Sequence, residues 1–453
     1  MGRITLKEAA AWCGGFVEEK YEQVSFLGAN MDSRKVQPGE LFIALVGERD
    51  GHDFIPMAME NGAAAVLCSR KCGDYPAIIV EDPRLALGDI ARAERKRIGM
   101  QVVGVTGSVG KSTTKEMIAQ VLEGTYRVAR TPANHNNDLG MPMAILGMPS
   151  DTEVAVLEMG MNHFREIAYL ASIAQPNVAV IVNIGTMHIE HLGSREGILK
   201  AKMEILEGMR EDGRVILNGD DDMLWSKRDL THLKLRYFGY QNPRCAVFAD
   251  NIRQEENYTS FTVTVGDDSF PVELALEGKH YISDALAAVS VAMELGVAPA
   301  KIQEKLSQFR NMAGRQEIFT WKGYTIIKDC YNAGPESMAA ALEVLGNKEG
   351  RHVAVLGDML ELGACTQAEH YRIGRIAARK ADILLAFGPN GPRVLSGAMT
   401  GGMPESRAMA FEDRKKLIDT LKRMTKPGDV LLFKGSRGMR MELILEGFMQ
   451  EEN

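Results

Sequence analysis

The sequence VVGVTGSVGKSTTKEM, at residues 102–117, predicts a buried strand, a glycine-rich turn and a helix that begins near Lys111. Such a turn lets backbone N–H groups close around phosphate oxygens, and the helix N-terminus adds positive potential. The pattern GxxxxGK[ST] requires glycine where Val105 stands, so the chain carries the shorter GxxGK[ST] from Gly107 to Ser112. We expect Lys111 to neutralise β/γ-phosphate charge and the Ser112 hydroxyl to bind Mg²⁺. These residues indicate an ATP- or GTP-binding enzyme domain and leave the acceptor open.

Around this loop, apolar runs alternate with helical segments. The runs VVGVTG, EVAVLEMG, NVAVIVNIG and GRVILNGDD predict βαβ units and a buried parallel sheet. Between about residues 235 and 275, LRYFGY, SFTVTVG and FPVELALEG alternate with period two, which favours antiparallel strands attached to that sheet. This central ATP-binding domain is expected to span residues 99–311.

The flanking segments are each predicted to form a further α/β domain. Residues 1–98 contain the short apolar runs LFIALV, AAAVLCS and PAIIVED, followed by the helical segment LALGDIARAERKRIG. Residues 312–453 repeat the strand–helix alternation through YTIIKDC, HVAVLGD, DILLAFG and DVLLFKGS, which is typical of a Rossmann-like domain. The fold class is therefore α/β with three domains.

The composition of the chain argues against several classes of function. The formal net charge of −7, from 53 Lys and Arg against 60 Asp and Glu, disfavours a nucleic-acid binder. The six cysteines form no CxxC pair, which argues against a zinc ribbon. No apolar run reaches the roughly 20 residues of a membrane helix, and no signal-peptide pattern opens the chain. We therefore expect a cytoplasmic protein without membrane insertion.

Polar residues downstream of the phosphate loop suggest a metal site. Glu158 ends the strand EVAVLE, where a carboxylate is as consistent with Mg²⁺ binding as with simple exposure to solvent. His188 follows another strand, but Mg²⁺ prefers oxygen, so residue chemistry alone favours a hydrogen-bonding role. By the same reasoning Lys200 and Lys202 belong to an exposed helix face.

Eight motifs in order give the chain a wider resemblance. They are TGSVGKSTTKE, NHNNDLGMP, LEMG, MHIEHLGS, KAKMEI, DCYNAGPESM, LGDMLELG and LLFKGSRG. Together they resemble the Mur ligase family of ATP-dependent amide ligases over nearly the whole length. The resemblance implies a first domain for a UDP-sugar substrate, a central ATPase domain and a third domain that receives an amine.

The resemblance also implies roles for the residues above. Glu158 and His188 match metal-binding residues of the family, and Lys202 matches a lysine that CO₂ carbamylates. A carbamate is an anionic oxygen donor of the kind that Mg²⁺ prefers. Asn136 and Asn137 match a loop near the γ-phosphate, while Lys200 has no counterpart.

Nucleotide contacts are implied along much of the chain. They comprise Thr106, Gly107, Ser108, Val109, Gly110, Lys111, Ser112, Thr113, His280, Asp284, Arg315, Asp329 and Asn332. Two stretches depart from the family pattern: Tyr281 and Asp284 stand where asparagine is usual, and Gly334 replaces another asparagine.

Substrate contacts are implied in both outer domains. In the first domain they are Ser33, Asp50, His52 and Asp53. In the third they are Asp358, Glu361, Lys434, Ser436 and Arg437, and Arg437 is suited to pair with the carboxylate of an incoming dipeptide.

The implied reaction is the ATP-dependent joining of D-Ala-D-Ala to a UDP-N-acetylmuramoyl-tripeptide through an acyl phosphate. The enzyme would be a monomer that uses Mg²⁺. Its product would be used in peptidoglycan synthesis, and so for cell shape and cell division. One alternative is a sister ligase that adds a single amino acid, or an enzyme similar to folylpolyglutamate synthase. Another is a nucleotide-gated switch that hydrolyses ATP weakly, which would leave Lys202, His188 and the third domain without a purpose.

Overall fold

The computed structural model describes residues 3–255 and 258–450. Its first domain has an antiparallel strand pair and a four-stranded parallel sheet of order β3-β4-β5-β6. The elements are β1 (Ile4–Thr5), α1 (Leu6–Cys13), β2 (Ser25–Phe26), β3 (Ala29–Asn30), β4 (Leu41–Ile43), α2 (Ile55–Glu60), β5 (Ala65–Cys68), β6 (Ala77–Ile79) and α3 (Pro83–Ile98).

Helix α3 shows how local sequence sets the boundaries of an element. The Asp82 side chain accepts hydrogen bonds from the backbone N–H groups of Arg84 and Leu85, and Pro83 occupies the first helical position. Basic residues fill the last turn, and Gly99 ends the helix with φ 75°. Strand β7 of the central domain begins two residues later.

The central domain contains a nine-stranded sheet of order β15-β14-β13-β12-β11-β10-β7-β9-β8. Its elements are β7 (Gln101–Thr106), α4 (Lys111–Leu122), β8 (Val128–Arg130), α5 (Gly140–Leu146), β9 (Val154–Glu158), α6 (Glu166–Ala174), β10 (Val178–Ile181), α7 (Ile189–Leu192), α8 (Arg195–Met203), β11 (Arg214–Asn218), α9 (Asp222–Trp225), β12 (Lys234–Gly239), β13 (Val247–Glu255), β14 (Tyr258–Val265), β15 (Asp268–Leu274), α10 (His280–Glu294) and α11 (Pro299–Ser307). The four runs around the phosphate loop all form parallel strands, as predicted.

The prediction for residues 235–275 was wrong for its first strand. Strand β12 pairs in parallel with β11, and only β13, β14 and β15 form an antiparallel meander. Burial along β12 increases from its start to its end and does not alternate, so period two did not indicate the direction of pairing.

The third domain has a six-stranded sheet of order β16-β17-β21-β18-β19-β20, in which only β16 is antiparallel. Its elements are β16 (Glu317–Trp321), β17 (Tyr324–Asp329), α12 (Pro335–Gly346), β18 (Arg351–Gly357), α13 (Thr366–Lys380), β19 (Ile383–Phe387), α14 (Gly391–Thr400), β20 (Ala408–Phe411), α15 (Arg414–Met424), β21 (Asp429–Lys434) and α16 (Glu442–Met449). The α/β class with three domains is therefore confirmed. The exact limits 1–98, 99–311 and 312–453 stay predictions, and they include residues outside the described ranges.

Apolar packing joins the first two domains and covers both faces of the other sheets. One buried cluster runs from Ile4 and Leu6 of the first domain to Ile181 and Leu217 of the central sheet. A second cluster lies under α4, α10 and α11, and two more cover the faces of the third sheet. Within the described ranges, no helix is both long enough and apolar enough to span a membrane.

Phe433 provides a test of the third-domain core. Its side chain is fully buried in β21, so we expect Phe433→Ala to lower the free energy of unfolding by about 3–5 kcal/mol. Met399, 41% exposed in the same domain, is the matched control, and Met399→Ala should change it by less than about 0.5 kcal/mol. Urea unfolding followed by circular dichroism measures both. Equal effects would contradict this account of the core.

Candidate active site

The phosphate loop joins β7 to α4 at the carboxyl edge of the central sheet. Gly110 has φ 82°, and a Cβ there would lie 2.7 Å from Asp284 Oδ1, so both conformation and space require glycine. Asn183, at the end of the neighbouring strand, accepts hydrogen bonds through Oδ1 from the N–H groups of Ser108 and Val109. The loop is therefore held open by a side chain from the next strand.

Two lysine side chains meet at this loop. Lys111 Nζ donates to the Gly107 carbonyl oxygen at 2.8 Å, and Lys202 Nζ donates to the same oxygen at 2.9 Å. Lys202 is only 2% exposed, and its burial, together with the charge of Lys111, lowers its pKa well below the usual value. Burial also lowers the pKa of Lys111. Lys202 therefore lies in the site and not on an exposed helix face.

Polar and charged side chains surround Glu158 and Ser112 beside the two lysines. The Ser112 hydroxyl donates to Glu158 Oε2 at 2.7 Å, and Asn136 Nδ2 donates to Glu158 Oε1 at 2.8 Å. Arg315 Nη2, from the segment that enters the third domain, donates to Ser112 Oγ at 2.8 Å. Glu158 is 2% exposed, so this carboxylate is buried within a cationic and polar set. Asn137 turns away, because its Oδ1 accepts from the Gly140 N–H.

A loop after β10 brings His188 to the third domain. His188 has φ 64°, an unusual conformation for a residue other than glycine. Its Nδ1 lies 2.6 Å from Glu361 Oε2, which lowers the pKa of Glu361. His188 and Glu361 thus meet across the cleft between the two domains.

The opposite wall consists of the start of α10. Asp284 is buried, and its Oδ1 accepts a 2.7 Å hydrogen bond from the Thr114 hydroxyl beneath the phosphate loop. Burial raises the pKa of Asp284 to about 7, although the hydrogen bond from Thr114 opposes that shift. Burial lowers the pKa of His280 to about 4, so this histidine is neutral near pH 7.

The third domain closes the site with a second group of side chains. Lys434 Nζ lies 2.5 Å from Asp329 Oδ2 and also donates to the Asn332 carbonyl oxygen. The Arg315 guanidinium stacks 4.0 Å from the ring centre of Tyr331. Arg315 therefore contacts the phosphate-loop serine on one side and the third domain on the other.

Two adjacent cavities result. The larger has a volume of about 380 Å³ and is lined by the phosphate loop, Asn136, Glu158, His280, Asp284, Arg315, Asp329 and Asn332. The smaller, of about 90 Å³, is lined by His188, Glu361, Ser436 and Arg437. Both cavities share Met187, Asn332 and Ala333. The site can therefore hold a large anionic ligand next to a small one.

Three family models match successive parts of the chain. The family model described as Mur ligase middle domain matches residues 105–292. The models described as Mur ligase, glutamate ligase domain and as Mur ligase family, catalytic domain match residues 314–437 and 24–95. A UDP-N-acetylmuramoyl-tripeptide–D-alanyl-D-alanine ligase of Bacillus subtilis (strain 168) is 39% identical over 99% of both chains. The chain belongs to the Mur ligase family.

Further relatives extend the match. The ligase of the same name from Escherichia coli (strain K12) is 36% identical over 92% of this chain and 93% of its own. A crystal structure of MurF from Acinetobacter baumannii superposes with a TM-score of 0.91 at 32% identity, with both chains fully covered. MurF ligase from Thermotoga maritima in complex with ADP gives 0.83 at 31% identity, covering 93% of this chain and 97% of that one. As a member of this family, the chain is an ATP-dependent ligase.

In this Mur ligase some expected substrate residues lie outside the two cavities. In the first domain, Asp50 contacts His52 Nδ1 at 2.6 Å and also pairs with Arg70. Ser33 is buried, and its carbonyl oxygen accepts from Asn61. The Asp53 N–H donates to the Asp50 carbonyl oxygen. These residues form a separate group in the first domain.

Other expected residues have structural partners. Asp358 is buried and accepts hydrogen bonds from the backbone and side chain of Asn390, so it supports its loop. The Ser436 hydroxyl donates to the Ala333 carbonyl oxygen. Thr106 is buried below the loop, and its Oγ1 has no hydrogen-bond partner within residues 3–255 and 258–450. Asp358 and Ser436 therefore have partners within the third domain, and Thr106 differs from them in this respect.

Sequence reasoning missed two residues of this Mur ligase site. Asn183 stands where the strand NVAVIVN ends, and its position at a carboxyl edge was the available signal. Glu336 lies in the third domain but lines the larger cavity and contacts the central domain. No local pattern indicates such a contact between domains.

The Asp284 carboxyl provides a pH test. Its pKa is about 7 in the folded protein against 3.8 ordinarily, so between these pH values the folded state holds a proton that the unfolded state has lost. Stability from this group therefore falls as pH rises from about 4 to 7. Asp284→Asn removes the effect, so its stability relative to the native protein should rise across that interval and level off above it.

Urea unfolding at half-unit pH steps measures the Asp284 effect. Asp268→Asn, at an exposed position in β15, is the control and should show no such trend. A stability difference between Asp284→Asn and the native protein that stays constant with pH would contradict the shift.

Proposed function

We propose that this ligase joins D-Ala-D-Ala to the free carboxylate of a UDP-N-acetylmuramoyl-tripeptide, with ATP as the phosphoryl donor. The main support is the run of relatives that carry this activity in their names and align with at least 92% of the chain. The two adjoining cavities fit the proposal, because a nucleotide and an amine must both reach one carboxylate. The pentapeptide product would be used in peptidoglycan synthesis, and so for cell shape and cell division. The enzyme would act as a monomer in the cytoplasm.

In the first step, a peptide carboxylate oxygen attacks the γ-phosphorus of ATP, the bond to the bridging oxygen breaks, and ADP leaves. Lys111 and Arg315 offset the repulsion between the two anions, so catalysis is mainly positioning and electrostatics. Asn136, which lines the larger cavity, orients the phosphoryl group or the carboxylate.

In the second step, the dipeptide amine attacks the acyl carbon, phosphate leaves and an amide bond forms. Arg437 lines the smaller cavity and would hold the dipeptide carboxylate as a bidentate partner. The acyl phosphate reacts with water, so closure of the third domain over it is part of the proposal.

The residues present fit Mg²⁺. Ser112 and Glu158 supply a hydroxyl and a carboxylate within 2.7 Å of each other, and oxygen is the donor that this ion prefers. Mg²⁺ would neutralise phosphate charge. Within the described ranges no cluster of three or more His, Cys, Asp or Glu side chains forms a metal site, so a further anionic oxygen must come from another residue or from substrate.

Lys202 would supply that oxygen as a carbamate. Its neutral amine attacks CO₂, the N–C bond forms, one C=O π pair moves to oxygen, and the amine proton leaves to solvent. The lowered pKa of Lys202 supports this, because only the neutral amine has the required lone pair. Carbamylation would also place a negative charge beside the Lys111 side chain.

The first experiment measures phosphate release from Mg-ATP by the purified protein. We expect release only when UDP-N-acetylmuramoyl-tripeptide and D-Ala-D-Ala are both present, with a matching amount of UDP-pentapeptide. D-Ala and L-amino acids are the controls. Release with a single amino acid would indicate a sister ligase or an enzyme similar to folylpolyglutamate synthase. Release that no acceptor affects would indicate a nucleotide switch and contradict the proposal.

The carbamate is tested with paired lysine variants. Lys202→Ala should lower ligase turnover by about 10²-fold or more, because it removes a charge-stabilising group from the site. Lys200→Ala, two residues earlier on an exposed position of the same helix, should stay within about twofold. Removal of CO₂ should lower native activity reversibly, and acetate should restore part of the Lys202→Ala activity. Native-like turnover of Lys202→Ala at low CO₂ would exclude the carbamate.

A further inference from the structure

Glu336, in the third domain, contacts the loop after β10 that carries His188 in the central domain. It lies in the first turn of α12, and its Oε1 accepts hydrogen bonds from the Thr186 N–H at 3.0 Å and from the Thr186 hydroxyl at 3.1 Å. Thr186 precedes His188 by two residues, on the loop that carries His188 into the cleft. One carboxylate oxygen therefore holds this loop through both backbone and side chain.

The contact continues to the phosphate loop. A Cβ on Gly185 would lie 2.7 Å from the Glu336 carboxyl carbon, so the carboxylate packs directly on this glycine. The Gly185 N–H in turn donates to Ser108 Oγ at 2.9 Å. A continuous path therefore runs from α12 through residues 185–186 to the loop that binds phosphate.

The second oxygen of Glu336 distinguishes it from an ordinary surface acid. Oε2 is buried and has no hydrogen-bond partner in the part of the chain that the structure describes. Glu336 also lines the larger cavity. A buried carboxylate oxygen without a hydrogen-bond partner is costly and calls for a physical explanation.

We propose that Glu336 is a positioning residue for the ligase reaction, whose hydrogen bonds to Thr186 keep the third domain closed while the acyl phosphate awaits the amine. The inference rests on the proposed function, because it assumes an intermediate that water can destroy. Glu336 touches neither Lys111, Ser112 nor Glu158 by hydrogen bonds, so it acts through the Thr186 loop and is not itself catalytic.

The proposal makes a specific kinetic prediction. Loss of the contact should allow the domains to part after the first step. Some acyl phosphate would then be hydrolysed. The ratio of phosphate released to amide formed, which is one in a coupled ligase, should rise above one. A residue that only stabilises the fold would reduce both products equally.

The experiment measures turnover and this ratio in four single variants and one double variant. Glu336→Ala should lower turnover at least about tenfold and raise the ratio. Glu336→Gln retains a carbonyl oxygen that can accept from Thr186, so it should restore most of the coupling. Glu343→Ala, on the same helix but paired with Lys380 inside the third domain, should match the native enzyme.

Thr186→Val completes the cycle by removing only the hydroxyl donor. It should impair coupling in the native background and have no further effect in Glu336→Ala, because its partner is already gone. Hydrogen exchange of residues 184–188 provides a readout independent of activity, and it should become faster in Glu336→Ala but not in Glu343→Ala.

The outcomes separate the two proposals. If the native protein forms no pentapeptide, the proposed function fails, whatever the variants do. If the native protein is an active ligase and Glu336→Ala keeps a ratio of one with unchanged exchange at residues 184–188, the inference about Glu336 is wrong. Additive effects of Thr186→Val and Glu336→Ala would also overturn it.

Discussion

Two lysine side chains held on one carbonyl oxygen are the constraint around which this site is built. Lys111 and Lys202 both donate to Gly107, and the Arg315 guanidinium lies one hydrogen bond away, on Ser112. Buried like charges are unfavourable unless anions compensate them. Glu158 supplies one negative charge beside them, and the buried Lys202 amine gives up its proton more readily than an exposed lysine does. The site is therefore suited to anionic ligands such as phosphate and carboxylate groups. The sheet, the loop glycines and the enclosing domains shield the basic side chains from water.

Parallel strand ends explain how residues so distant in sequence reach this charge. The phosphate loop, Glu158 and Asn183 all follow neighbouring strands of the central sheet, whose carboxyl ends share one edge. The third domain presents the corresponding edge of its own sheet through Asp329 and Lys434. The cleft between the domains is thus lined from both sides by strand ends, and Arg315, Glu336 and the Glu361–His188 pair cross it.

The sequence was informative wherever local pattern and function coincide. The apolar runs predicted the parallel strands, and the glycine turn followed by Lys111 predicted the loop, because both depend on neighbouring residues. The predicted antiparallel pairing of LRYFGY was wrong, because the pattern of apolar residues does not identify the neighbouring strand. Asp284, expected at the nucleotide, contacts Thr114 beneath the loop as well as lining the cavity. The contact of Glu336 could not be predicted from local pattern, because its partner lies 150 residues away in another domain.

The order of the domains along the chain bears on how the protein is made. A ribosome delivers the phosphate loop and both lysines well before Arg315 and Glu336. The central domain can therefore assemble its cationic centre while nothing yet covers it. The residues that shut the cleft arrive with α12, and the last strand to enter the middle of the third sheet, β21, is made near the end of synthesis. An unfinished chain that stops before α12 thus presents the phosphate loop without the side chains of the third domain that cover it.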